Sequence, residues 1–183
     1  MVKKLRWGCL STARFALREF LPAISACQYA ELSAIASRDL ARAREAAAQL
    51  GIPKAYGSYE ELLADPEIDV VYNPLPNHMH LEWTVRAAEA GKHVLCEKPI
   101  ALSVAEVDKM MAARDRHGVK IGEAFMVHTH PQWVRARELV RAGALGELRA
   151  VTGFFSYYNR DPNNIRNIPE AGGGGLYDIG CYT

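Results

Sequence analysis

The sequence predicts an α/β fold in which helices cover both faces of a parallel sheet. Short apolar runs alternate with amphipathic or alanine-rich helical patterns over the first two thirds of the 183 residues. Strand, helix and strand at this spacing form right-handed crossovers, which make the strands parallel. The runs are apolar on both faces, as strands are when helices lie above and below them. We therefore expect a Rossmann-type, doubly wound parallel sheet.

The individual elements follow from the spacing of apolar residues along the first 125 positions. Apolar runs predict strands at residues 5–10, 30–37, 69–73, 93–96 and 119–125. Helical periodicity predicts helices at residues 12–27, 39–50, 58–65, 77–90 and 103–118, with a kink at Pro22 in the first. Capping boxes at 58–61 and 103–106 begin two of these helices, and Asn77 is a candidate cap for a third. We interpret residues 1–125 as one domain.

The pattern changes after residue 125. A helix predicted at 131–142 is followed by an alternating, aromatic run at 147–158, which is typical of a strand in an antiparallel sheet. A polar, Pro- and Gly-rich stretch and the start of a helix at 176–183 complete the chain. Because one strand cannot bury its own face, we expect residues 126–183 to be the truncated beginning of a second, α+β domain.

Charge and composition exclude several classes of function. Lysine and arginine number 22 and aspartate and glutamate 21, so the net charge is +1, which provides no electrostatic basis for binding nucleic acid or an anionic membrane. No signal-peptide core or membrane-length apolar run is evident, and we expect a cytoplasmic protein. The four cysteines form no C-x-x-C pair, and His128 and His130 are not spaced as helical ligands, so no metal site is expected.

The turn after the first predicted strand has features of a phosphate-binding turn. It reads Ser11-Thr12-Ala13-Arg14-Phe15-Ala16 and occupies the place of a G-x-G-x-x-G motif, with small residues for the three glycines. Small residues let the backbone approach a pyrophosphate, and free N–H groups at the helix start bind it. For a match this degenerate, a tight turn without a ligand is an equal alternative.

The end of the second predicted strand distinguishes between two nicotinamide coenzymes. NAD enzymes usually place an acidic residue there to hold a ribose hydroxyl, whereas this strand ends in Ser37-Arg38. A hydroxyl and a planar guanidinium suit a 2′-phosphate, and Arg14 offers a further cation, while Asp39 is better placed to cap the next helix. We predict NADP, with NAD as the alternative; Arg38 as a solvated arginine is the competing interpretation.

Three further motifs occur together in the sequence. Residues 73–80 read N-P-L-P-N-H-M-H, residues 96–99 read C-E-K-P, and residues 174–182 read G-G-L-Y-D-I-G-C-Y. In this combination the sequence resembles the glucose–fructose oxidoreductase and inositol dehydrogenase (Gfo/Idh/MocA) family over essentially its whole length. Asp178 and Tyr182 match a D-x-G-x-Y version that is similar to NADP-dependent xylose dehydrogenase and dimeric dihydrodiol dehydrogenase. His128 departs from that branch, in which relatives often carry Arg.

Candidate catalytic residues follow from the motifs and from the chemistry of hydroxyl oxidation. A base must lie within hydrogen-bond reach of the hydroxyl, and Tyr182 is the candidate. We expect a nearby Lys98 ammonium to lower the pKa of Tyr182 or to bond the substrate oxygen directly. Asp178 lies four residues before Tyr182, on the same face of a predicted helix, where it can hold a neighbouring sugar hydroxyl.

Candidate coenzyme-binding residues lie at the ends of the predicted strands. They are Ser11, Thr12, Ala13, Arg14, Phe15, Ser37, Arg38, Leu75, Pro76, Asn77, His80, Glu97 and Lys98. Within this set, Glu97 would accept from a ribose hydroxyl, and residues 75–77 would line the nicotinamide end. His80 either contributes to the site or ties the helix start to its loop. Arg160 and Arg166, in the polar stretch, either bind substrate or are solvated.

The family resemblance implies a function for the whole protein. It implies a Rossmann domain that holds NADP, a second domain with antiparallel sheet, a small-molecule substrate and a homo-oligomer. We expect NADP-dependent oxidation of a sugar hydroxyl, in an aldose such as D-xylose. One alternative is trans-dihydrodiol dehydrogenation, and another is a non-catalytic NAD(P)-binding regulatory protein. The presence of Lys98, Asp178 and Tyr182 argues against the last alternative.

Overall fold

The computed structural model describes residues 3–183, and its centre is a six-stranded sheet in which all neighbouring strands run parallel. The strands are β1 (Leu5–Cys9), β2 (Ala30–Ala36), β3 (Lys54–Tyr56), β4 (Val70–Asn73), β5 (His93–Glu97) and β6 (Ile121–Ala124). Their order across the sheet is β3-β2-β1-β4-β5-β6. The winding therefore reverses between β1 and β4, which creates a crevice at the carboxyl ends of the strands. The predicted doubly wound sheet is confirmed.

The helices begin and end at residues that the sequence marks. They are α1 (Leu21–Ser25), α2 (Leu40–Leu50), α3 (Tyr59–Ala64), α4 (His80–Glu89), α5 (Val104–His117), α6 (Pro131–Arg141) and α7 (Gly175–Asp178). Asp39 caps α2 by accepting from two N–H groups of its first turn, and Ser58 and Ser103 cap α3 and α5. Gly51 and Gly118 end α2 and α5 in the left-handed conformation, which glycine adopts without steric cost.

Successive residues of the central strands face opposite helical layers. Ile35 and Tyr72 pack in the cluster that contains α1 and α2, whereas Ala36 and Val71 pack in the cluster that contains α3 and α4. All four side chains are fully buried. Burial of a large apolar side chain contributes about 1.5–3 kcal/mol, so both layers hold the sheet and position the loops at its carboxyl edge.

The first helical stretch differs in detail from the prediction. Helical backbone begins at residue 14 rather than 12, and a π-helical segment (Ala16–Phe20) precedes α1. Pro22 lies in the first turn of α1 and has no N–H to donate to the preceding turn, so the widened segment lies just before it. The strand β3 was not predicted, because three residues at a sheet edge are too few to show a pattern.

The predicted cap at Asn77 is wrong. A 3₁₀ turn (Asn77–Met79) precedes α4, and no side chain caps it. The Asn77 side-chain amide instead donates to the Gly172 carbonyl at 2.8 Å. A tertiary partner 95 residues away thus replaces the local role that the sequence suggested.

The predicted strand at 147–158 is also wrong. The backbone over these residues has no strand pairing in the structure, and large apolar side chains such as Val151, Phe154 and Tyr158 are at least 80% exposed. A strand exists only where a neighbour accepts its hydrogen bonds, and no strand of the described residues pairs with this segment.

Over residues 3–183 no helix combines the length and apolar character that a bilayer crossing requires.

Candidate active site

A cavity of about 580 Å³ lies at the carboxyl edge of the sheet. The turn after β1, the loops after β4 and β5, and the segment from residue 126 onward form its walls. Nine of the predicted site residues line it: Ala13, Arg14, Phe15, Leu75, Asn77, Glu97, Lys98, Asp178 and Tyr182. Residues from both predicted domains therefore meet at one cavity, in the crevice where doubly wound folds bind their ligands.

The turn after β1 presents a helix start to this cavity. The Ser11 hydroxyl accepts from the Ala13 N–H at 3.0 Å, and helical backbone begins at Arg14. The first-turn N–H groups of a helix have no partner within the helix, so they are open to an anion. Ser11 and Thr12 lie beside the cavity in sequence but do not line it.

The end of β2 carries Ser37 and Arg38 outside the cavity. Ser37 is buried, and its hydroxyl accepts from the Asp39 N–H at 3.2 Å. The Arg38 side chain is exposed; burial raises the pKa of Tyr59, and the positive charge of nearby Arg38 opposes that rise. The Asp39 carboxylate is used to cap α2. The Arg38 guanidinium is therefore the charged group at this strand end that can bind a ligand.

Glu97 ends β5 and faces the cavity with a carboxylate held at both oxygens. Its Oε1 accepts from the Tyr72 hydroxyl at 2.6 Å, and its Oε2 accepts from the Lys98 N–H at 3.3 Å. Burial raises the pKa of Glu97, and the Tyr72 hydrogen bond and the Lys98 charge oppose that rise. Glu97 is therefore an oriented acceptor beside Lys98.

Lys98 is the charged group at the centre of the site. Its Nζ donates to the backbone carbonyl of Asp178 and lies 3.3 Å from the carboxylate Oδ1 of the same residue. It also lies 5.2 Å from the centroid of the Tyr182 ring. The structure thus brings together the three residues predicted to be catalytic, although 80 residues separate Lys98 from Asp178.

Asp178 is bound by three side chains. Besides Lys98, Arg166 donates from Nε to Oδ1 at 3.0 Å, and the Tyr157 hydroxyl donates to Oδ2. Burial raises the pKa of Asp178, but these donors outweigh it and the net pKa is lowered. Since a carboxylate offers about four acceptor positions, most of those of Asp178 are used inside the protein, and few remain for the neighbouring sugar hydroxyl that it is predicted to hold.

Tyr182 differs from the prediction in two respects. Its pKa is raised rather than lowered, because burial favours the neutral phenol and nearby groups such as Glu97 and Asp178 add negative charge. It also does not share a helix with Asp178, since α7 ends there and a 3₁₀ turn (Gly180–Tyr182) follows Ile179. The Lys98 ammonium is engaged by Asp178 and faces the ring, which explains why it does not produce a phenolate.

His80 is fully buried and lies outside the cavity lining. Its Nδ1 is 2.7 Å from the Pro99 carbonyl oxygen, and its Nε2 is 2.7 Å from the Leu75 carbonyl oxygen. Burial lowers the pKa of His80, and both carbonyl contacts oppose this. This geometry supports the interpretation of His80 as a tie between loops.

Pro76, next to the cavity-lining Leu75 and Asn77, does not itself line the cavity.

Sequence reasoning missed Tyr157 and Tyr72 as site residues and left Arg166 undecided. Arg166 lines the cavity, whereas Arg160 does not. The Arg166 backbone is held by a close crossing, because an added Cβ at Gly173 would lie 2.7 Å from the Arg166 carbonyl oxygen. The run of glycines at 172–175 was the one sequence signal that the Arg166 segment is packed closely against neighbouring backbone, since close backbone approach is one reason for glycine in a loop.

The residues described by the structure also bear on metal binding. Among residues 3–183, no group of three or more His, Cys, Asp and Glu side chains is arranged to hold a metal ion. Cys9 and Cys96 are buried, and Cys27 and Cys181 are exposed, all as free thiols.

Comparison with protein families covers most of the chain. Residues 6–125 match the model of an oxidoreductase family with an NAD-binding Rossmann fold, Gfo/Idh/MocA. Residues 133–183 match a C-terminal domain of the same family. The chain belongs to the Gfo/Idh/MocA family. The resemblance drawn from the three motifs is thereby confirmed.

Individual Gfo/Idh/MocA relatives include enzymes of known substrate. The chain is 52% identical over 178 residues to an uncharacterised oxidoreductase of Rhizobium meliloti (97% of this chain, 53% of the relative). It is 46% identical over 180 residues to D-xylose 1-dehydrogenase (NADP(+)) 2 of Haloferax volcanii (98% and 55%). It is 37% identical over 184 residues to trans-1,2-dihydrobenzene-1,2-diol dehydrogenase of Xenopus laevis (97% and 54%). The chain thus spans about half the length of these relatives.

One solved Gfo/Idh/MocA structure shares both fold and sequence with the chain. It is a 3-ketoreductase from Actinomadura kijaniata in complex with NADP and TDP-benzene. The TM-score is 0.93 at 36% identity, and the match covers 98% of this chain and 55% of that protein.

Proposed function

We propose that the protein is an NADP-dependent oxidoreductase that interconverts a sugar hydroxyl and the corresponding carbonyl. The observation that carries the proposal is the convergence of Lys98, Asp178 and Tyr182 on one cavity with Glu97 and the helix start after β1. A cationic donor and a phenol can serve the proton transfer of such a reaction, and an anion-binding turn can hold the coenzyme phosphates. The names of the xylose dehydrogenase and the 3-ketoreductase support the same class of reaction.

The donor and acceptor groups at the strand ends fit a nicotinamide dinucleotide. Open N–H groups after Ala13 suit its phosphates, the Arg38 guanidinium suits a 2′-phosphate, and the Glu97 carboxylate suits a ribose hydroxyl. Leu75 and Asn77 would line the nicotinamide end of the cavity. When bound, the coenzyme supplies the acceptor for the hydrogen that leaves the substrate carbon.

Tyr182 transfers the proton of the substrate hydroxyl. Because burial raises the pKa of this phenol, Tyr182 is held protonated, which is the form that donates a proton when a carbonyl is reduced. In the oxidation direction the phenol first has to release its own proton to solvent, and its oxygen then receives the proton of the hydroxyl. Lys98, close to the Tyr182 ring, donates to the substrate oxygen and stabilises the negative charge that develops on it.

A sugar such as D-xylose is the substrate class that the polar wall of the cavity favours. Arg166, Tyr157 and Asn159 line that wall, and their donors and acceptors suit neighbouring hydroxyls. Phe155 and Met126 line the same cavity, and this apolar part favours a trans-dihydrodiol as the second candidate. Turnover of either substrate would exclude a purely regulatory protein. The homo-oligomer stays a prediction.

Calorimetric titration of the purified protein with NADP+ and NAD+ tests the coenzyme assignment. We expect tighter binding of NADP+, and we expect Arg38→Ala to weaken it by about 10- to 100-fold, the worth of a hydrogen bond to a charged group. NAD+ binding should be unchanged in that variant. Arg44→Ala, which removes an exposed arginine of α2, is the matched control. Equal affinities for both coenzymes in the wild type would contradict the NADP assignment.

Coenzyme reduction in the presence of D-xylose or a trans-dihydrodiol then tests the reaction itself. Faster NADPH formation with the sugar supports the first candidate, and faster formation with the diol supports the second. If NADP+ binds but neither compound is oxidised and no ketosugar is reduced, the proposed catalytic function is wrong and the regulatory interpretation replaces it.

A further inference from the structure

An aromatic stack of buried Tyr72 and two partly buried residues, Phe20 and Trp7, lies in the cluster between the sheet and helices α1 and α2. The Phe20 and Tyr72 rings stack with centroids 3.7 Å apart and an interplanar angle of 16°, and Trp7 packs against Phe20 at 6.0 Å. Phe20 is the last residue of the π-helical segment, and Tyr72 lies in β4. Tyr72 is fully buried, so the position of its hydroxyl is set by packing on the ring.

The Tyr72 hydroxyl hydrogen-bonds to one residue of the site, Glu97. Tyr72 donates to Glu97 Oε1 at 2.6 Å, across adjacent strands of the sheet and 25 residues apart in sequence. The other oxygen, Oε2, is near the Lys98 N–H. The carboxylate is therefore fixed in orientation while it remains part of the cavity wall.

We propose that Tyr72 is a positioning residue that holds the Glu97 carboxylate as a fixed acceptor for the coenzyme. This inference rests on the proposed function, from which it takes NADP as the coenzyme. It adds a residue that touches neither coenzyme nor substrate and acts only through Glu97. The motif residues around 96–99 therefore depend on a residue of β4 that precedes the N-P-L-P segment.

The charges around Glu97 give the expected direction of the effect. Burial raises the pKa of Glu97, and the Glu123 charge on β6 raises it further. The Tyr72 hydroxyl, the Lys98 N–H and the Lys98 charge oppose this rise. Tyr72 itself remains a donor, since burial and the Glu97 charge raise the pKa of its phenol. Without the hydroxyl, more Glu97 is protonated at a given pH, and a protonated carboxyl is a poorer acceptor.

The test compares two tyrosine-to-phenylalanine substitutions. Tyr72→Phe keeps the ring and its stack on Phe20 but removes the hydroxyl. Tyr56→Phe is the matched control, because the Tyr56 hydroxyl also donates to a carboxylate, Asp65 Oδ2 at 2.8 Å, at a place remote from the cavity. Both substitutions remove one phenol-to-carboxylate hydrogen bond, so a general loss of stability affects both variants.

The first readout is the titration of Glu97 in the coenzyme-free protein. Carbon-13 NMR of labelled glutamate carboxyls measures it, and Glu97→Gln identifies the signal. We expect Glu97 to titrate at a higher pH in Tyr72→Phe than in the wild type, and at an unchanged pH in Tyr56→Phe. Identical titration in all three proteins would overturn the proposal.

The second readout is NADP+ affinity by calorimetry at two pH values. At a pH between the Glu97 titration midpoints of the wild type and Tyr72→Phe, we expect Tyr72→Phe to bind NADP+ about tenfold more weakly, the size expected for a hydrogen bond to a charged group; the loss should be smaller at a pH above both midpoints. Tyr56→Phe should bind as the wild type does. A loss independent of pH would indicate a merely structural role. If the wild type does not bind NADP+, the proposed function fails, and the Glu97 titration alone decides whether Tyr72 controls this carboxylate.

Discussion

The two edges of the sheet use charged residues in different ways. At the amino edge, charges pair with one another: Arg6 with Asp69, and Lys54 with Asp65 and Glu67. At the carboxyl edge, Lys98 and Arg166 pair with Asp178 beside an open cavity, where Arg166 is half exposed and burial raises the pKa of Glu97. The amino edge thus satisfies its charges internally, whereas the carboxyl edge keeps part of its hydrogen-bonding capacity for a ligand.

The direction of the pKa shifts expresses the same difference. Hydrogen bonds from Arg6 lower the pKa of Asp69 to about 2. Burial would raise the pKa of Asp65, but hydrogen bonds from Lys54, the Glu67 N–H and Tyr56 outweigh it and lower the pKa to about 2. Glu97 and Tyr182, at the other edge, shift upward in pKa because of burial, whereas the pKa of Asp178 beside them is lowered by its donors. Groups with pKa values perturbed in opposite directions around one cavity are typical of functional sites, which is consistent with chemistry at the carboxyl edge.

The largest effect is expected at the carboxyl edge from Lys98→Met. This change removes the ammonium next to Asp178 and Tyr182, so kcat should fall by about 10³-fold, within the range for loss of a proton-transferring or polarising group. Steady-state kinetics with the sugar substrate measure it. Lys109→Met, an exposed position on α5, should be neutral. A kcat reduced less than about tenfold would exclude Lys98 from the chemistry.

At the amino edge, Asp65→Asn should lower stability and leave catalysis intact. Asp65 is buried and accepts from Lys54 and Tyr56, each at 2.8 Å. Loss of its charge leaves Lys54 less well paired, so the free energy of unfolding should fall by about 2 kcal/mol. Urea denaturation measures the fall, and coenzyme affinity should be unchanged. Lost coenzyme binding in a folded variant would contradict the division between the edges.

The same substitution should alter the acid dependence of stability. Because the pKa of Asp65 is lowered in the folded protein, its contribution is present above the unfolded value, near 3.9, and is lost as pH falls toward about 2. Asp65→Asn should therefore show a shallower loss of stability between about pH 4 and about pH 2 than the wild type. Equal slopes would indicate that Asp65 makes no such contribution.

The smallest effect is expected from Arg166→Ala. Arg166 holds Asp178 through Nε and lines the cavity, so its loss should raise KM for the sugar about tenfold, with a smaller change in kcat and none in NADP+ affinity. Arg160→Ala, on the same loop but outside the cavity lining, should leave all three unchanged. Equal KM values in the two variants would remove Arg166 from the substrate site.

The sequence predicted those parts of the molecule that depend on local pattern. Helix caps at Ser58 and Ser103, and strands with apolar residues on both faces, follow from neighbours in the chain. Lys98 and Glu97 were found because a short motif places them at the end of a strand. The sequence did not reveal Tyr157 or Tyr72, since their partners lie 21 and 25 residues away and are brought close only by the fold.

The errors have the same origin. The alternating segment at 147–158 has strand periodicity, but pairing needs a second strand that periodicity cannot supply. The spacing of Asp178 and Tyr182 suggests one helical face, whereas α7 ends between them and the cavity still receives both. The predicted fall in the Tyr182 pKa considered Lys98 alone, and burial together with the acidic groups around the phenol reversed it.

His80 makes the two loops beside Lys98 mechanically dependent on each other. Its ring spans from the Leu75 carbonyl to the Pro99 carbonyl, so the wall at Leu75 and the backbone that carries Lys98 share one buried support. Displacement of either loop is transmitted to the other through this ring. Substitutions at Leu75 and Pro99 should consequently not add in their energetic effects, as expected of residues that share a partner.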